Sequence, residues 1–143
     1  MRAAPPAIVP ELDVADLEAS LAFYRDVMGF TVAAERLEEG FAYLVRDGAH
    51  LMLEQAAGPG RRFRTAALEY PFGRGVNLQI RVGDVDALRA AVEAAGLTVL
   101  IDLEERWYRQ GEVELGNRQF VVADPNGYLL RPFTDLGVRK AGA

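Results

Sequence analysis

Apolar positions along the chain change period in a fixed order, and that order occurs twice. In "DVADLEASLAFYRDVMGF", Leu17, Leu21, Tyr24 and Met28 recur at helical spacing behind Asp16, which can cap a helix, and Gly29 supplies the stop. The spacing predicts a helix over residues 16–28 with one buried face. "RVGDVDALRAAVEAAGL" repeats the plan, with Asp84 as cap, Val85, Leu88, Val92 and Ala95 as the stripe and Gly96 as the stop, and the two caps lie 68 positions apart. A strand-like run precedes each helix, "AIVPELDV" and "VNLQIRV". Three more follow each: "FTVAAERL", "FAYLVRD" and "HLMLEQ", then "LTVLIDLEE", "RQFVVAD" and "YLLRPF". The pattern is βαβββ twice, an α+β fold with modules at about 7–56 and 75–134 in a single domain.

The stretch between the modules, residues 57–74, is rich in Gly and Pro and reads as a connecting loop. Arg61, Arg62 and Arg64 surround Phe63 there; a solvated linker is the plain reading and a lid over a cavity the alternative. The second half carries an insertion, "LEERWYRQGEVELGN", which holds the single tryptophan, Trp107. Pro10 cannot donate to a ladder, so the first strand belongs at a sheet edge or carries a bulge. In "VVADPNGYLLRPF" a tight turn leads into a strand whose alternation sets Arg131 between Leu129 and Phe133, on a face that looks buried.

Composition narrows the chemistry. The 143 residues are 50% hydrophobic and 26% charged, enough for a sizeable apolar interior. A net charge of −5 argues against nucleic acid, whose phosphates require a basic face, and would suit a cationic ligand. The chain has no cysteine, which excludes disulfides and thiolate zinc sites. Neither a signal-peptide core nor a membrane-spanning apolar run is present, so the expected location is cytoplasmic. Nucleophilic catalysis finds little support: the single serine, Ser20, falls inside the first helix, and no phosphate-cradling glycine loop occurs. The single histidine, His50, reads as a strand-end surface residue, about 13 Å along the strand from Glu54.

The paired βαβββ halves, the "DLEASLAFYRDVMGF" helix, the "DGAHLMLE" strand and the "DPNGYLL" hairpin resemble the vicinal oxygen chelate superfamily of glyoxalases, extradiol dioxygenases and bleomycin-resistance proteins. The resemblance implies curled mixed sheets and a homodimer whose cavities are shared between chains. It also implies four metal-ligand positions, which fall here on Val9, Glu54, Asn77 and Arg131. Valine cannot coordinate a metal, a neutral amide is a poor transition-metal ligand, and a guanidinium is a permanent cation. No metal and no cofactor are therefore expected.

The nearest branch by resemblance is the metal-free bleomycin-resistance type, which sequesters a drug without altering it. This implies a small-molecule binding protein, with an antibiotic as a candidate ligand. Glu54, Asn77, Trp107, Tyr108 and Arg131 are the expected ligand-binding residues, and no catalytic residue is assigned. Aromatic faces at Trp107 and Tyr108, among Asp102, Glu104, Glu105, Glu112 and Glu114, would suit a planar cation. In the shared cavity, Glu54 of one chain would meet Arg131 and Asn77 of the other. A glyoxalase- or dioxygenase-type enzyme with an atypical site and a sensing or partner-binding module are the alternatives.

Overall fold

The computed structural model describes residues 5–142, which form two compact units dividing between Glu69 and Tyr70. Each unit has the predicted βαβββ order and carries one open four-stranded mixed sheet. In the first, β1 (Glu11–Val14), β2 (Thr31–Arg36), β3 (Phe41–Arg46) and β4 (Ala49–Gln55) are arranged β1-β4-β3-β2. In the second, β5 (Asn77–Arg81), β6 (Val99–Gln110), β7 (Val113–Ala123) and β8 (Leu129–Lys140) are arranged β5-β8-β7-β6. The edge strands β1 and β5 run parallel to β4 and β8, and the remaining pairs are antiparallel. The edge position of β1 accords with Pro10 just before it, which offers only its carbonyl, to Met52 N at 2.8 Å.

The first predicted helix is two kinds of helix in series: α1 (Leu17–Leu21) and a π-helical segment, Ala22–Val27. Asp16 caps it, its carboxylate accepting from Glu18 N at 3.0 Å. The wider π turn lets the neighbours Phe23 and Tyr24 both face inward, where a strict α-helical stripe predicts Tyr24 alone. With Leu17, Leu21 and Met28 they cover Leu12, Val14, Leu44, Leu51 and Leu53 on one face of the first sheet. In the second unit, α2 (Val85–Ala94) is capped by Asp84, which accepts from Ala87 N at 3.0 Å. Val85, Leu88 and Val92 are buried as predicted, together with the sheet residues Ile80, Phe120, Val122 and Leu130. Ala95 is exposed, because the helix ends at Ala94 and Ala95 is already its C-terminal cap.

The stretch read as an insertion is continuous ladder. β6 and β7 turn over at Gly111, and β8 runs on to Lys140, paired with the start of β7. Alternating charges hold this extension: Arg109 lies opposite Glu114, and Arg139 Nε reaches Glu114 at 2.9 Å. No helix among the described residues is long and apolar enough to cross a membrane.

Candidate functional site

In both units the helix covers one sheet face; the opposite face carries polar side chains in the first unit and a mixture of polar and apolar ones in the second. In the first unit, period-two alternation along β1 turns Leu12 and Val14 to the core and Glu11 and Asp13 to the other face. Asp13 pairs in register with Glu54 of β4, whose carboxylate is only 6% exposed. Arg62 satisfies it, Nη1 donating to Glu54 Oε1 at 2.6 Å while Nε and Nη2 donate to the Gln55 carbonyl. Arg64 repeats the arrangement, donating to Asp13 Oδ2 at 3.0 Å and to Ala56 O at 2.8 Å. Residues 62–64 of the connecting loop are therefore strapped to the sheet, which corrects the solvated-linker reading at these two arginines. Burial holds the Glu11 carboxyl above the usual glutamate range, and a hydrogen bond to Glu54 raises it further. A cavity of about 370 Å³ opens beside Glu11 and Glu54, with Phe41 and Phe63 in its wall. His50 is half-buried rather than at the surface, its Nδ1 2.7 Å from the Tyr43 hydroxyl.

In the second unit the "DPNG" turn sets the entry of β8. Asp124 accepts from Asn126 N at 2.8 Å and Tyr128 N at 2.9 Å, and Gly127 takes the left-handed φ of 93° that closes the turn. β8 then alternates: Leu130 and Pro132 are buried on the helix side, while Leu129, Arg131 and Phe133 occupy a half-exposed face. Arg131 thus stands outside the core, correcting the expectation of a buried face. A cavity of about 530 Å³ lies against it, lined also by Asn77, Leu100, Ile101, Val121 and Leu129.

The structure therefore brings Asn77 and Arg131 together, and adds Tyr108, whose hydroxyl accepts from Arg131 Nη1 at 3.3 Å and from Gln119 Nε2 at 2.7 Å. Trp107, one residue along β6, points to the opposite face, lies over Gly116 and has the Arg139 guanidinium 4.1 Å from its ring centroid. It does not line the cavity of Asn77 and Arg131. Glu54 is in the other unit, engaged by Arg62. The insertion's carboxylates are largely occupied too: Asp102 pairs with Arg89, Glu104 with Arg106 and Glu114 with Arg139.

Sequence reasoning missed Glu11, the neighbour of Glu54, although the alternation in "ELDV" already sets it on the face of Asp13. The metal that the fold family implies does not fit these residues. Val9 offers no donor, Glu54 is bound by a guanidinium, and Arg131 puts a fixed cation where a carboxylate ligand would be needed.

Two open mixed sheets of βαβββ plan, each with its helix on one face and a cavity against the other, define the scaffold. Residues 9–131 match the model of the Glyoxalase/Bleomycin resistance protein/Dioxygenase superfamily, and the chain belongs to that superfamily. Bleomycin resistance proteins of Geobacillus stearothermophilus and Staphylococcus aureus are each 29% identical to it over 136 residues, covering 90% of this chain and 96% of theirs. The crystal structure of TioX from Micromonospora sp. ML1 matches with a TM-score of 0.71 at 21% identity, over 92% of this chain and 100% of that one. A virulence protein of Salmonella typhimurium matches with a TM-score of 0.68 at 16% identity, over 93% and 98% of the two chains. The likeness to these two structures is one of fold.

Proposed function

We propose that this chain is a metal-free small-molecule binding protein, similar to bleomycin resistance proteins, that sequesters an antibiotic-like ligand in the cytoplasm without altering it. The observation that carries this reading is the cavity beside Asn77 and Arg131, and Arg131, a permanent cation, stands at the position that the resemblance assigns to the family's last metal-binding carboxylate. The bleomycin resistance proteins at 29% identity support the same class of activity. In the homodimer that belongs to this reading the cavities are shared between chains, and any contact between Glu54 and a partner's Arg131 would share or displace Arg62 at the Glu54 carboxylate.

Two measurements test it. Metal analysis of the purified protein is expected to find no stoichiometric nickel, zinc, iron or manganese. Such a metal, lost on substitution of Glu54, would move the reading to a glyoxalase- or dioxygenase-type enzyme. Titration with bleomycin is expected to change Trp107 emission through β6 and to raise the melting temperature by mass action. A protein that responds in neither observable does not sequester this drug.

A further inference from the structure

We propose that the cavity of the second unit is selective for an organic carboxylate with an extended apolar body, anchored by Arg131. The inference rests on the small-molecule-binding reading and narrows the class of ligand.

Among the described residues no carboxylate lies within ion-pair distance of Arg131, and its Nε is buried without a hydrogen-bond partner. A half-buried guanidinium left in this state costs free energy that an anion would recover. The carboxylate that joins its hydrogen-bond network through Gln119 and Tyr108, Glu104, is committed elsewhere: it accepts from Arg106 Nε at 3.4 Å and from Gln119 Nε2 at 3.3 Å.

That second bond determines the polarity of the site. A carboxylate only accepts, so the amide NH₂ of Gln119 faces Glu104, and the same NH₂ reaches the Tyr108 oxygen at 2.7 Å. The Tyr108 oxygen also accepts from Arg131, so its hydroxyl proton is left to donate outward. Arg131 and the Tyr108 hydroxyl thus offer donors without a matching acceptor, beside the Asn77 amide in the cavity wall, the complement of a planar carboxylate.

The rest of the wall is apolar. Leu100 and Ile101 are 54% and 48% exposed, large values for aliphatic side chains in a strand. Leu100 and Leu129 also border a second cavity, of about 350 Å³, beneath Tyr70, Phe72 and Val76. The two adjoin through Leu100 and Leu129, so a polar end at Arg131 is followed by a mostly apolar wall, with Arg74 at the rim of the second cavity, for one elongated ligand.

The probes are dansyl-labelled undecanoate and its methyl ester, titrated into the full chain and followed by dansyl fluorescence. The wild-type protein is expected to bind the acid about tenfold more tightly than the ester, the scale of one lost charge-assisted bond. Arg131→Met is expected to abolish that preference, and Tyr108→Phe to reduce it severalfold. Asn77→Asp, at an exposed position that tolerates change, puts a fixed carboxylate into the wall. It should abolish the preference, so the test stands even if the Arg131 variant does not fold. Equal affinity for acid and ester, a preference that survives Arg131→Met or Asn77→Asp, or no binding of either probe overturns the inference. Ester binding without acid preference would leave the binding reading intact and remove only the anion selectivity, whereas a stoichiometric metal would overturn the metal-free reading on which the inference rests.

Discussion

Glu11 shows how one side chain couples the first unit to pH. Its carboxyl is raised by burial first, then by the hydrogen bond to Glu54 and that neighbour's charge, with Arg62 acting weakly in the opposite sense. A carboxyl whose folded pKa lies above its unfolded value contributes stability that is complete below the unfolded value and is lost as pH rises through the folded one. Glu11→Gln, which imitates the protonated form, is therefore expected to raise the melting temperature at pH 7, by roughly 1–2 °C for so exposed a group. The gain should shrink as pH falls through the ordinary glutamate range and vanish below it, where Glu11 is protonated in both the folded and the unfolded state. Melting curves of the two proteins across that range check this, and a gain that grows on acidification contradicts it. Alternation sets the face of Glu11, but neither its contact with Glu54 nor the strapping role of Arg62 could be read from local sequence, because each depends on which residue β1 or the loop meets on β4.

The helices and strands were the most legible elements, because their signals are local. Asp16 and Asp84 announce both helix starts, and the structure finds each carboxylate accepting a backbone N–H at 3.0 Å. Asp84→Ala is expected to cost about 1 kcal/mol of stability in urea unfolding, since an orphan N–H of the first turn loses its acceptor. Asp84→Asn should keep most of that stability, and equal losses in the two variants would mean that the cap is not the source. The π-helical segment was not legible: it differs from an α-helix by one backbone bond, here Met28 N to Phe23 O at 2.9 Å, and no residue type marks it. The long β6–β7–β8 ladder was also hidden. Its polar residues alternate on a ribbon with little core to cover, so the sequence reads as a charged insertion when its strength lies in cross-strand pairs.

For the whole molecule, the shared-cavity proposal predicts association. Size-exclusion chromatography with light scattering is expected to give twice the protomer mass at micromolar concentration, and a monomer there would reject the shared cavity. What the sequence alone determined is the doubled βαβββ order and the core stripes. Periodicity and capping act within a few residues, and side-chain chemistry belongs to the residue itself. Only the tertiary structure decided the rest: that Arg131 and Asn77 share a cavity with Tyr108 beside them, that Trp107 lies under Arg139 away from it, and that Arg62 occupies Glu54. Those facts depend on the registers of β5 with β8 and β6 with β7 and on where the connecting loop returns to the sheet. A hydrogen-bonded ladder fixes them between residues far apart in the chain, where no local pattern can reach.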